Sequence, residues 1–195
     1  LERAVILDGK IPKKIKALEA KLFKNKTLEE IIGANGLPEI AEYRNELIGV
    51  MAPIAKEYIL NILENSNASV LVFCIHKDMA HRLAQCLIKY QPGVINGDVK
   101  KTQRDAIEKD FQNKKTRVII ANINCMIGLN LTAGTRIVFA ESSWDYTDNS
   151  QATSRAFRRG QTELVISDHL VLTGTIGEYI MTKVLKKKSV INKLI

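Results

Sequence analysis

Long apolar runs are missing from this 195-residue chain. No stretch approaches the roughly eighteen to twenty residues of a membrane-spanning helix, and no signal peptide is visible. The expectation is an intracellular protein that neither spans a membrane nor is secreted. Cysteine is scarce: Cys74, Cys86 and Cys125 are odd in number and show no metal-ligand spacing. Cys74 and Cys125 lie in or just after apolar runs, the pattern of reduced, buried thiols in an intracellular protein. His76, His81 and His169 form no ligand cluster either. Also missing is the string Gly, four residues, then Gly-Lys-Ser/Thr, whose backbone amides cradle phosphate; Gly9-Lys10 is followed by Ile11. No Asp-Glu pair stands at a strand end to hold magnesium and activate water. Internal repeats and low-complexity linkers are lacking too. The chain opens Leu1-Glu2-Arg3 rather than with Met, which reads as a fragment of a longer polypeptide.

What is present is an ordinary globular composition, 46% hydrophobic, enough for one generous domain or a domain with a small helical appendage. Lys and Arg number 29 against 21 Asp and Glu, a net charge of +8, and the pI is near 9.4. That balance favours a polyanionic partner such as nucleic acid, and it fits an acidic membrane or plain solubility as well. The run Lys186-Lys187-Lys188 is the only dense block of charge and reads as a solvated helix face.

Residues 12–64 read as helical, with Leu18 and Leu22, then Ile54, Tyr58 and Ile62, at helical spacing. Gly33, Gly36 and Pro38 mark a break between two helical arms, and Pro53 suits the first turn of a new helix. From Ser69 the texture changes to short apolar, β-branched runs at residues 70–75, 94–96, 117–121, 136–140 and 164–172. Helical patterns at 77–90, 100–112 and 147–158 lie between most of them. Alternating strands and helices predict an α/β fold with a mostly parallel sheet covered on both faces. Chemistry in such sheets gathers at the edge where the strands end.

The most informative segment runs from Gln151 to Gln161. On a helix, Gln151, Arg155 and Arg158 stand at i, i+4 and i+7 and share a face, and Gly160 then stops the helix. Two guanidiniums aimed together from a helix end can clamp an anion; the same pattern also describes a solvated basic face.

This segment resembles the last helicase motif of the SWI/SNF family, which reads Gln-Ala, two variable residues, then Arg-Ala-His-Arg-Ile-Gly-Gln. Gln151, Ala152, Arg155, Ala156, Arg158, Gly160 and Gln161 match it, while Ser154, Phe157 and Arg159 stand where that family commonly has Asp, His and Ile. Residues 128–133, Gly-Leu-Asn-Leu-Thr-Ala, resemble the fifth motif, a loop whose backbone approaches the nucleotide, an approach that Gly128 permits. Upstream of it the family's Ser-Thr, whose hydroxyls touch DNA phosphates, is replaced; Asn122 offers an amide instead. Glu141 and Trp144 fall where the family has an acid and then Trp-Asn-Pro; Asp145 and Tyr146 replace its Asn and Pro. Trp144 is either a buried anchor or a residue near DNA. Residues 70–73 resemble the fourth-motif strand. Asn96-Gly97 with Arg104 and Phe111 resembles an Asp-Gly, Arg and Phe pattern, and residues 174–180 resemble a Gly-Thr-Ile-Glu-Glu brace in which Gly177 replaces one Glu. Residues 1–64 resemble that lobe's protrusion and lead-in helix more loosely, with Arg44 and Gly49 fitting best.

The resemblance implies a second RecA-like helicase lobe at residues 66–195, with a C-terminal brace helix, preceded by a helical protrusion and lead-in helix at residues 1–65. It implies Arg155 and Arg158 as arginine fingers, Gly128, Leu129 and Gln151 at the nucleotide, and Lys100, Lys101, Arg104, Asn122 and Trp144 at double-stranded DNA. ATP and Mg²⁺ would be held mainly by the first RecA-like lobe of the same polypeptide, and the protein would act as a monomer. The chain alone would then hydrolyse no ATP. Two other readings remain open: a lobe of the same superfamily working on RNA or single strands, and a DNA-binding scaffold that kept the fold without catalysis.

Overall fold

The computed structural model describes residues 1–24, 26, 27, 30, 31, 38–126 and 128–191, the last six without their side chains. Six strands build one all-parallel sheet: β1 (Glu2–Leu7), β2 (Val70–Cys74), β3 (Gly93–Ile95), β4 (Val118–Asn122), β5 (Arg136–Phe139) and β6 (Ile166–Leu172). Their order across the sheet is β1-β6-β5-β2-β4-β3. Around it lie α1 (Lys13–Phe23), α2 (Pro38–Asn65), α3 (Lys77–Cys86), α4 (Lys101–Gln112), α5 (Tyr146–Thr153) and α6 (Ile176–Ile191).

Central strands of a parallel sheet are apolar on both sides because helices cover both faces, and β2, Val-Leu-Val-Phe-Cys, is buried throughout. Its alternate residues divide between two cores. Val70, Val72 and Cys74 meet α2 and α3 on one face, through Ala55, Ile59 and Leu83 among others. Leu71 and Phe73 meet Phe111 of α4 and Ala152 of α5 on the other. A third cluster joins α1, α2 and α6 through Ile15, Leu18, Tyr43, Ile180 and Trp144.

Three local expectations are corrected here. First, the reading of residues 1–65 as helical omits β1, which pairs in parallel with β6 from Glu2↔Ser167 to Leu7↔Leu172. Its anchors are remote in sequence. Arg3 Nε donates to Asp168 at 2.6 Å, and the buried His169 ring lies 2.7 Å from a Glu2 carboxylate oxygen and 2.8 Å from the Ser142 hydroxyl. Second, Pro53 opens no new helix; it sits inside α2, a single helix of 28 residues. A proline removes a hydrogen bond and clashes with the preceding turn, but Met51, Ala52 and Ala55 on either side are buried, and their packing holds the helix through it. Pro38 starts α2, whereas Gly33 and Gly36 lie outside the described residues.

The third concerns α5, which ends at Thr153, so Arg155 and Arg158 lie beyond it rather than on a shared helix face. The N–H groups of Arg155 and Ala156 reach back only three residues, to Ala152 and Thr153, tightening the last turn. The Arg155 carbonyl, which would carry a helix onward, accepts from Leu131 N–H instead, and Gly160 turns the chain at φ +98°.

Cys74 is buried as expected, Cys125 only partly, and Cys86 is exposed. The Lys186–Lys188 run falls within α6, but its side chains are outside the described ones. Among the described residues no helix is long and apolar enough to cross a membrane.

Candidate functional site

Because every strand runs the same way, the segments leaving β2 to β6 emerge at one edge of the sheet. After β4 the chain makes a single 3₁₀ turn, Ile123–Cys125, started by Asn122, whose side-chain oxygen accepts from Asn124 N–H. The Asn122 amide donates to the Ile75 carbonyl at the end of β2, so both ends of this side chain are engaged within the fold.

The 3₁₀ turn faces the last turn of α5 across a cleft lined by Ile123, Asn124, Met126, Asp148, Gln151 and Arg155. Gln151 is exposed and Arg155 half-buried. The Arg155 Nε is buried with no hydrogen-bond partner, a costly state for a group that donates but cannot accept. Burial, and then the nearby charge of Arg158, lower the Arg155 pKa. Arg158 itself is exposed, as are Phe157 and Arg159. The cleft thus brings Gln151 and Arg155 together, with Arg158 close enough for its charge to be felt.

Residues 128–134 run beside the cleft, joined to it by the bond from Leu131 N–H to the Arg155 carbonyl. Gly128 adopts φ +84°, a conformation that disfavours side chains, and a Cβ there would meet nothing within 4 Å. The positive φ by itself favours glycine at this position. Leu129 is buried, its N–H donating to the Met126 carbonyl. Two glutamines clamp the loop. Gln161 donates to the carbonyls of Thr132, Gly134 and Ala156, and Gln112 donates to the Thr132 hydroxyl while accepting from Ala133 N–H. Gln161 belongs to the matched motif, but Gln112 gave no signal in sequence: its partners stand twenty residues onward, across a strand.

Towards β3, Lys100 and Lys101 are exposed where α4 begins, and the Gln103 side chain accepts from Lys100 N–H. Arg104 is different. Its guanidinium donates to the carbonyls of Val99 and Asn96 and, at 3.5 Å, of Cys125, stapling the β3 loop to the 3₁₀ turn.

Towards β5 and β6, Trp144 is only 7% exposed and packs in the third core cluster, with the Arg44 guanidinium 4.3 Å from its ring centroid. Burial lowers the Arg44 pKa, and the field of Glu141 opposes that shift. One oxygen of Glu141 accepts from the N–H groups of Ile75 and His76, and the other lies 2.7 Å from His76 Nδ1. This acid ties the loop after β2 to the end of β5, a role its position in the sequence did not disclose.

A parallel sheet between two helical layers, with arginines presented just past a helix at the strand-end edge, defines a RecA-like α/β lobe. The profile of the family described as "Helicase conserved C-terminal domain" matches residues 54–160. The chain is 34% identical over 142 residues to the DNA annealing helicase and endonuclease ZRANB3 of Bos taurus, covering 71% of this chain and 13% of that protein. It is 29% identical over 141 residues to the putative ATP-dependent helicase/translocase YwqA of Bacillus subtilis, covering 70% and 15%. Among solved structures, the Sulfolobus solfataricus SWI2/SNF2 ATPase C-terminal domain matches with TM-score 0.66 at 18% identity, over 100% of this chain and 89% of that one. The C-terminal part of the Fun30 ATPase domain matches with TM-score 0.63 at 23% identity, over 68% and 44%. The chain belongs to the helicase conserved C-terminal domain family, as the C-terminal lobe of a SWI/SNF-type superfamily 2 protein. It spans about an eighth of the length of its mammalian relative.

Proposed function

We propose that this chain is the second motor lobe of an ATP-dependent translocase on double-stranded DNA, with Arg155 and Arg158 acting on a nucleotide held mainly by the first lobe. The observation that carries this reading is the Arg155 guanidinium: half-buried, its Nε unpartnered, aimed into a cleft it shares with Gln151, and beside a second arginine. A donor set of two guanidiniums and an amide fits an anion. The one acid in the cleft, Asp148, is engaged by the Ser143 hydroxyl.

The nucleotide, bound with Mg²⁺, supplies the phosphoryl group whose transfer drives the motor. Closure of the two lobes brings Arg155 and Arg158 against the phosphates, where fixed cations in a dry cleft stabilise developing negative charge. Gly128, Leu129 and Gln151 stand at the nucleotide, and the bond from Leu131 N–H to the Arg155 carbonyl ties the loop of Gly128 and Leu129 to the arginine. Lys100 and Lys101, both exposed, hold DNA phosphates, and Arg104 positions the loop that carries them. Asn122 and Trp144, engaged within the fold, shape the edge against which the duplex lies. Residues 1–65 serve as protrusion and lead-in, with Glu2–Leu7 lent to the sheet of the lobe at residues 66–195. The protein works as an intracellular monomer, because one duplex and two lobes of one polypeptide complete the machine.

The test is ATP turnover of this chain alone and of the polypeptide that also carries the first lobe, each with and without duplex DNA. DNA-stimulated turnover is expected only from the two-lobe protein. Turnover by this chain alone, in a preparation free of contaminating ATPases, would contradict the division of labour.

A further inference from the structure

Counting consecutive charges finds only Lys186–Lys188 and overlooks residues 10–26, where seven lysines stand against one acid, Glu19. These residues carry six of the net eight positive charges of the chain. The fold sorts this segment. Ile15, Leu18 and Leu22 form the buried seam of α1. Glu19 is turned inward, accepting from the Tyr43 hydroxyl and from Ile176 N–H at the start of α6. Lys14 pairs with Glu46 of α2. At about 100° per residue, Lys13, Ala17, Ala20 and Lys24 fall opposite the seam, with Lys16 and Lys21 flanking them. All six are exposed. Among the described residues none of these four lysines has a salt-bridge partner. The alanines between them leave the ammonium groups unshielded.

We propose that the exposed face of α1 is a second binding site for the DNA phosphate backbone, at the opposite end of the sheet edge from Lys100 and Lys101. Topology supports the placement. α1 follows β1, and Glu19 binds the start of α6, the helix that follows β6, so α1 lies at the edge where the strands end. β1 and β3 are the two outermost strands. Five strand spacings of about 4.8 Å separate them by about 24 Å. The four lysines span about 16 Å along the helix. A duplex presents one phosphate charge per about 1.7 Å of its axis, so one duplex can meet both clusters. Charge complementarity selects a polyanion, and phosphate supplies it at this density. The inference rests on the DNA reading proposed above.

The experiment uses this chain with Lys13→Gln, Lys16→Gln, Lys21→Gln and Lys24→Gln together. Glutamine keeps helix propensity at exposed positions, so circular dichroism and thermal unfolding should match the parent. Binding of a labelled duplex is measured from about 50 to 200 mM salt, beside the pair Lys100→Glu and Lys101→Glu. The quadruple variant should bind on the order of tenfold more weakly at the low-salt end, and its salt slope should fall by about 2 to 3. Lys→Arg at the same four positions should retain binding, since charge is what matters. Unchanged affinity and slope in the quadruple variant, with weakening in the Lys100/Lys101 pair, would overturn this site and leave the DNA reading standing. A parent chain that fails to bind duplex would overturn both. If the quadruple variant loses binding to polyglutamate but not to DNA, the partner of α1 is an acidic polypeptide and the site proposed here is wrong.

Discussion

Asp168 has no solvent exposure, yet its carboxylate meets three polar side chains. Arg3, Arg136 and the Tyr58 hydroxyl all donate to its carboxylate, joining β1, β5, β6 and α2 at one point. A buried carboxylate is tolerable only when its lone pairs are filled by charged donors, and removing it leaves the mostly buried Arg136 without its acid, while the half-exposed Arg3 can turn to water. Asp168→Ala should therefore lower unfolding stability by about 3–5 kcal/mol, read from urea midpoints. A loss below about 1 kcal/mol would mean that β1 is held by its strand pairing alone. At this scale the sequence spoke unevenly. Gln161 stood in a recognisable motif, but Asp168 and Gln112 had no local pattern, because their partners lie on other strands. The resemblance implied Arg104 at DNA; its guanidinium also donates to two carbonyls of the loop before it, a role no local pattern announced.

Elements were legible where burial is two-sided. β2, β4 and β5 are apolar runs because helices cover both faces, and run length with flanking turns located them. β1 escaped notice because it is an outer strand whose inward residues are only partly buried and whose pairing partner stands 165 residues away. The end of α5 escaped for a related reason: periodicity continues to Arg158, but tertiary acceptors take the carbonyl that would extend the helix. The loop beside the candidate site has the same non-local origin. Gly134 closes the loop of residues 128–134 against β2, and a Cβ there would lie 2.8 Å from Leu71 Cδ1 and 3.2 Å from the Leu131 carbonyl oxygen. Leu71 is fully buried and has little freedom to retreat. Gly134→Ala should cost about 1–3 kcal/mol by overpacking and displace this loop. Thermal unfolding would read the cost, and an unchanged or higher Tm would show that the loop relaxes freely.

For the whole molecule, the parallel sheet brings the segments that follow its strands to one edge, and the two-lobe arrangement proposed above would give that edge its meaning. The arginines were found in sequence through a motif, not through geometry; the helix face invoked to bring them together does not exist, yet the turn beyond α5 still keeps Arg155 at the cleft and Arg158 near it. The most direct measurement is DNA-stimulated ATP turnover of the two-lobe protein carrying Arg158→Ala, with Arg159→Ala as its internal control. Both side chains are exposed and adjacent, so a loss of fold or of general charge would affect them alike. Arginine fingers of phosphoryl-transfer enzymes contribute about 10³–10⁵ in rate, and with Arg155 still present the lower end applies. Arg158→Ala should lower turnover about 10³-fold with DNA affinity nearly intact, and Arg158→Lys should restore little, because an ammonium lacks the planar fork. Arg159→Ala should leave turnover close to that of the parent. A crippled Arg159→Ala beside a fully active Arg158→Ala would contradict the catalytic assignment.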